Sequence, residues 1–124
     1  GKCKLSDFGI SAQVTSFDEL RTTTIGSPYW MAPEIFQGTG HNHSCDIWSL
    51  GITAIEIAER KPPYHDMTPM AALFQISKNP APNLRGTQWS SSLRNFIQTA
   101  LKKQPSSRPP ATSLLRHKLF NKMP

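Results

Sequence analysis

Ser44-Cys45-Asp46-Ile47-Trp48-Ser49-Leu50-Gly51-Ile52-Thr53-Ala54-Ile55-Glu56-Ile57-Ala58-Glu59-Arg60 is the stretch that decides the fold. Ile47, Trp48, Leu50, Ile52, Ala54, Ile55, Ile57 and Ala58 cover nearly the whole circumference of a helix. A helix apolar on all sides is a buried one. Ser44 is the expected N-cap, and Lys61-Pro62-Pro63 stops the helix because proline cannot continue it. The span predicts a rod of about 25 Å. Such a rod needs other elements around it, so the expected fold is mainly α.

Those elements are legible on both sides. Downstream, Thr68-Pro69 is a cap followed by a first-turn proline, and Met70, Leu73 and Phe74 share one face. Ser90 to Lys103 places Leu93, Phe96, Ile97, Ala100 and Leu101 at helical spacing, with Lys102 and Lys103 at the negative end. Ala111 to His117 predicts a shorter helix carrying Leu114 and Leu115. Upstream, Pro33-Glu34-Ile35-Phe36 predicts a one-turn helix, ended by Gly38-Thr39-Gly40. Cys3-Lys4-Leu5-Ser6 alternates like the end of a strand. Asp18-Glu19-Leu20-Arg21 suggests one helical turn. Trp48 and Trp89 read as packing residues.

Composition narrows the classes. The chain has 124 residues, 37% hydrophobic and 18% charged, which suits one small globular unit rather than a disordered tract. The formal charge is +6 and uneven: Asp66 is the last acidic residue, and every charge after it is basic. The basic residues are scattered with little aromatic interleaving, which argues against a nucleic-acid surface. The longest apolar stretch, Ile47 to Ala58, is too short for a bilayer and carries Ser49, Thr53 and Glu56. No signal peptide is visible, and two cysteines make no disulfide framework, so a reducing, cytoplasmic setting is expected. His41-x-His43-x-Cys45 lacks the spacing and fourth ligand of a structural zinc site. Cys3 is expected to be a buried, inert thiol rather than a reactive one.

The chemistry sits upstream of the long helix, between Asp7-Phe8-Gly9 and Ala32-Pro33-Glu34. This segment is too polar for a core and too long for an ordinary turn, and such loops are usually functional or disordered. Asp7, one residue ahead of Phe8-Gly9, can present a carboxylate to a hard cation such as Mg²⁺, which takes few protein ligands. Taken alone, an aspartate just ahead of a glycine more often serves an ordinary turn. Four hydroxyls follow, Thr22, Thr23, Thr24 and Ser27, and then Pro28-Tyr29-Trp30-Met31.

Spacing sharpens the reading. Asp7-Phe8-Gly9, a hydroxyl-rich loop, Gly26-Ser27-Pro28-Tyr29-Trp30-Met31-Ala32-Pro33-Glu34, Asp46-Ile47-Trp48-Ser49-Leu50-Gly51 and Arg108 follow one another in order. In this constellation the sequence resembles the eukaryotic protein kinases, in the part after the catalytic loop. Ile10-Ser11-Ala12-Gln13, Trp30 to Glu34 and Trp48 to Glu56 look like the Sterile-twenty group, germinal-centre-kinase branch.

The resemblance implies the C-terminal-lobe portion of the α+β kinase fold over 1–124, with an activation segment at 7–34 and a helical lobe at 35–118. It implies ATP and Mg²⁺ as cofactors, with Asp7 as the metal ligand. Phe8 would pack into the interior and Gly9 would let the chain turn. Thr23 would be the activating phosphorylation position, with Thr22 and Thr24 as neighbours, and its phosphate would need arginines to order the loop. Ser27 would be the substrate-side hydroxyl of a serine/threonine enzyme, where most relatives have Thr. Ile10 would lean the enzyme towards Thr as acceptor. Glu34 and Arg108 would form a buried ion pair. Asp46 would anchor the catalytic-loop backbone, or simply favour a helix N-terminus. Tyr64 and Met67 to Met70 would lie where family members dock partners, or would pack into the core.

The implied partners are protein substrates and an upstream activating kinase; dimerisation is not written in these motifs. The catalytic aspartate of a His-Arg-Asp loop, the glycine-rich phosphate loop and the ATP-pairing lysine do not occur in 1–124, so they are expected upstream. The chain alone is expected to be inactive. A truncated, non-catalytic interaction module is the alternative.

Overall fold

The computed structural model describes residues 1–9, 11 and 27–121. Its regular structure is helical: α1 (Pro33–Gln37), α2 (Ser44–Glu59), α3 (Pro69–Lys78), α4 (Ser91–Ala100) and α5 (Ala111–Leu114), with 3-10 turns at Pro28–Trp30, Pro105–Ser107 and Lys118–Phe120. The expected helical turn at 18–21 lies outside the described residues. Cys3 to Ser6 is exposed and forms no strand, because no second strand among the described residues lies beside it to complete a ladder.

The long helix is present but starts differently. His43, not Ser44, is the N-cap, and its side chain makes no cap bond. Asn42 does the capping: its Oδ1 accepts the Ser44 N–H at 3.0 Å and the Ser44 hydroxyl at 2.6 Å. An asparagine that bonds the backbone two residues on is a ready-made turn. It competes successfully with the serine.

Nor is α2 buried on all sides. Ile47, Trp48, Gly51, Ile52 and Ile55 are buried, whereas Leu50 is 43% and Ile57 79% exposed. α4 and the 3-10 turns at 28–30 and 105–107 all pack against α2. Gly51 marks the closest approach, where a Cβ would stand 2.7 Å from Leu101 Cδ2 and 3.1 Å from Ala100 Cβ. Trp48, Ile52, Ile55, Ile97 and Leu101 are the largest fully buried apolar side chains, each worth about 1.5–3 kcal/mol against exposure.

α3 begins as expected, with Pro69 in its first turn and Thr68 Oγ1 accepting the Ala71 N–H at 3.4 Å. Its inward face is not the expected one. Ala72 and Ile76 are buried, while Met70 and Phe74 are 75% and 60% exposed. Smaller side chains let α3 lie close to α1 and the Pro28–Trp30 turn.

α4 carries its predicted apolar face, with Phe96, Ile97 and Ala100 buried and Ser90 Oγ capping the Leu93 N–H at 3.1 Å. It ends at Ala100, so Lys102 and Lys103 fall beyond it, and Lys103 crosses to the end of α3 instead. The last predicted helix shrinks to Ala111–Leu114: Leu114 is buried and Leu115 is 74% exposed. The chain then breaks into a 3-10 turn capped by His117 Nδ1, with Phe120 edge-on to Phe96 at 5.6 Å.

Candidate functional site

The site is assembled around one arginine. Arg108 follows the Pro105–Ser107 turn and is buried with Glu34. Its Nη1 donates to Glu34 Oε1 at 2.6 Å and to the Ser44 carbonyl at 3.0 Å. Nη2 donates to Glu34 Oε2 at 2.9 Å and to the Lys103 carbonyl at 3.3 Å. Nε donates to the Lys102 carbonyl at 2.7 Å. A guanidinium has five N–H donors, and each has an acceptor here. The Trp48 ring covers the guanidinium, 5.2 Å from its carbon.

Glu34 reaches this hub because Pro33 starts α1 and places Glu34 in its first turn, where the helix dipole favours a carboxylate. Gly38, at φ 73°, ends α1 within five residues. A buried, bidentate, fully hydrogen-bonded pair is the kind whose geometry offsets its desolvation. Glu34 and Arg108, far apart in sequence, are therefore brought together as the resemblance implies.

The residues ahead of Glu34 are held just as deliberately. Met31 and Ala32 are buried. The Trp30 indole N–H donates to Glu56 Oε2 at 2.8 Å, and the Trp30 carbonyl accepts from Ser49 Oγ at 2.8 Å. The Tyr29 hydroxyl donates to the Met67 carbonyl at 2.7 Å. Two positions of α2 and the approach to α3 thus strap the Pro28–Trp30 turn. Ser27 caps that turn in extended conformation and is exposed. Glu56, Ser49 and Tyr29 were not singled out from the sequence. The signal was there: an indole N–H entering a packed region needs an acceptor, and Glu56 is the one carboxylate within the apolar stretch Ile47 to Ala58.

The other end of the segment is open. Asp7 is exposed with φ 64°, a left-handed conformation that aspartate tolerates better than most residues. Gly9 is exposed as well. Phe8 does not pack into the interior as expected. It is 64% exposed, because residues 1–9 lie outside the apolar cluster that surrounds α2. Thr22, Thr23, Thr24 and Ile10 lie outside the described residues.

Asp46 is exposed in the first turn of α2, where its charge suits the helix N-terminus. Its Oδ1 is 3.8 Å from the Cys45 sulfur. Burial, then the charges of Asp46 and Glu34, push the Cys45 thiol up to about 12. Cys3 is exposed rather than buried, since the segment around it has no core to enter. Among the described residues, no three His, Cys, Asp or Glu side chains converge as a metal site, and no helix is long and apolar enough to cross a membrane.

The arrangement thus combines an exposed carboxylate on a glycine turn, a strapped surface loop presenting a hydroxyl, and a buried arginine lock beneath it. A family model described as a protein kinase domain matches residues 1–120. With nearly the whole length matched, the chain belongs to the protein kinase domain family.

Proposed function

We propose that this chain is the C-terminal-lobe part of a serine/threonine kinase of the Sterile-twenty group, germinal-centre-kinase branch, acting inside the cell in signalling. The enzyme transfers the γ-phosphate of ATP to hydroxyls of protein substrates. The observation that carries the reading is the strapped loop: Ser27 stands exposed at the head of a turn whose Tyr29 is fixed to the approach to α3 and whose Trp30 is fixed to α2. A substrate hydroxyl must be held in line with the transferred phosphoryl group, and catalysis of this reaction is mostly positioning and charge stabilisation.

Asp7 fits one role in binding Mg²⁺·ATP. Its carboxylate is a hard oxygen donor, exposed on a turn. Mg²⁺ is commonly held by one or two carboxylates plus phosphate oxygens and water, so the lack of a three-ligand cluster among the described residues is no obstacle. The bound ion supplies neutralisation of the charge on the phosphates. Ser27 faces the substrate, and Asp46 steadies the backbone that carries the catalytic base. Phosphorylation at Thr23, with Thr22 and Thr24 as alternates, by an upstream kinase orders the loop.

Residues 1–124 hold no glycine-rich phosphate loop and no His-Arg-Asp motif, so the isolated chain is expected to transfer no phosphate. The test uses the full-length protein with Mg²⁺, labelled ATP and paired peptides differing only in Ser, Thr or Tyr. Labelling of the Ser and Thr peptides that Asp7→Asn abolishes is the expected result. Labelling of the Tyr peptide alone would overturn the serine/threonine assignment. No labelling at all, from protein phosphorylated at Thr23, would favour the non-catalytic module.

A further inference from the structure

Lys103 holds the end of a helix to which it does not belong. Its Nζ donates to the carbonyls of Ile76, Ser77 (3.1 Å) and Asn79 (2.9 Å) at the C-terminal end of α3. The last four carbonyls of a helix have no partner within it, and a cation there also meets the negative end of the dipole. The three donor hydrogens of one ammonium match these three acceptors. Burial, and after it the positive charge of Arg108, lower the lysine's pKa from its ordinary value. A charge held at that cost needs hydrogen-bond partners, and the end of α3 provides them.

The backbone of the same residue is part of the arginine hub, since the Lys103 carbonyl accepts from Arg108 Nη2. α3 in turn packs against α1 and the Pro28–Trp30 turn. Gln37 of α1 donates to Ser77 Oγ at 3.3 Å, and Met67, just before α3, takes the Tyr29 hydroxyl. The contacts form a closed ring: Glu34, Arg108, Lys103, α3, Tyr29, and back along the chain through Met31 to Glu34. Lys103 joins the arginine hub to the C-terminal end of α3, alongside the Gln37–Ser77 bond from α1.

We infer that Lys103 is a positioning residue for substrate: by pinning the end of α3 to the arginine hub, it fixes the Tyr29–Trp30 turn beside Ser27. The inference rests on the kinase reading for its effect on catalysis, but not for its effect on the turn. It separates Lys103 from Lys102 next door, which is exposed and lends only its backbone carbonyl to the hub.

The test compares Lys103→Met, Lys103→Arg and Lys102→Met in the full-length protein. For Lys103→Met, KM for a protein substrate should rise about tenfold while KM for ATP stays within about twofold, since the loss is one of placement on the protein side. Lys103→Arg, which keeps a cation for the same carbonyls, should recover most of that loss, and Lys102→Met should match wild type. Amide exchange gives a second readout that needs no activity. The Trp30 and Met31 N–H groups, bonded to the Ser27 and Pro28 carbonyls, should exchange faster in Lys103→Met while the α2 amides stay unchanged. If wild type transfers no phosphate, the kinase reading fails and exchange at Trp30 and Met31 alone decides the inference. Unchanged exchange there would overturn it, as would an equal rise in both KM values.

Discussion

Asp7 and Glu34 bracket one segment of the chain, and the fold treats their carboxylates in opposite ways. Glu34 is buried and takes both of its oxygens to Arg108. Asp7 is exposed on a left-handed turn, among residues 1–9 that the apolar core does not reach. The contrast separates two uses of the same chemistry. A carboxylate saturated with protein donors contributes order, because removing either partner strands a charge. A carboxylate left facing solvent contributes little to stability and remains able to bind a cation. The described residues just ahead of Glu34 divide in the same way: Tyr29, Trp30 and Ala32 are fixed by hydrogen bonds or burial, and Ser27 remains accessible.

The largest effect is expected at the buried end. Arg108→Ala leaves Glu34 buried without its partner and withdraws the guanidinium from the Ser44, Lys102 and Lys103 carbonyls, and should cost about 3–5 kcal/mol. Arg108→Lys should also lose most of that, because a single ammonium cannot reproduce a planar fork serving Glu34, Ser44, Lys102 and Lys103. Denaturant melts of the two variants measure both. A negligible loss in Arg108→Ala would mean that the hub carries no stability and that the two ends of the segment do not differ.

The next effect lies at the strap. Glu56→Leu keeps the apolar character of α2 but removes the acceptor of the Trp30 indole N–H. The unpaired donor should cost about 1–3 kcal/mol. Glu56→Gln, which keeps a carbonyl oxygen, should cost less. A stability series in which Leu and Gln behave alike would show that the hydrogen bond does not hold the turn.

Much of this was legible in advance, for physical reasons. The length and apolar density of 44–60 require a central helix. Proline at 33 and 69 and serine at 90 mark helix starts through local backbone chemistry. The pairing of Glu34 with Arg108 rested on the resemblance, since nothing in spacing alone joins residues so distant. What was not legible depends on tertiary placement. Which face of α3 turns inward was decided by close packing of Ala72 and Ile76, not by the bulkier Met70 and Phe74. The apolar pattern of α2 could not tell that Leu50 and Ile57 would face outward. Lys103 read as a charge at the end of its own helix, and only the fold shows it serving another.

The two cysteines offer a milder contrast between the same regions. Cys3 lies in the exposed end and Cys45 beside the buried one. The thiolate is the reactive form, and the Cys45 thiol is pushed up to about 12 by burial, Asp46 and Glu34. A disulfide reagent near pH 8 should label Cys3 promptly and Cys45 only as the protein opens. A folded value above the unfolded one means that the thiol's contribution to stability is complete below the ordinary cysteine value of 9.0 and is lost as pH rises towards about 12. Cys45→Ser should therefore flatten the alkaline limb of a stability profile. Equal labelling rates for the two thiols would remove the distinction.

The smallest expected change in stability is at Asp7, and it is the most informative. Asn is nearly isosteric with Asp and, like it, tolerates positive φ, so Asp7→Asn keeps the left-handed turn. No buried partner is stranded, and the stability change should stay within about 0.5 kcal/mol, as for surface sites generally. The substitution nevertheless removes the negative charge that a hard cation requires, so in the full-length protein phosphate transfer should fall to background while the melting profile does not move. A profile shifted as far as that of Arg108→Ala would place Asp7 among the structural carboxylates. An unmoved profile with full activity would show that its charge binds no ion the reaction needs. Only loss of transfer at constant stability fits a carboxylate that the fold has left uncommitted for chemistry.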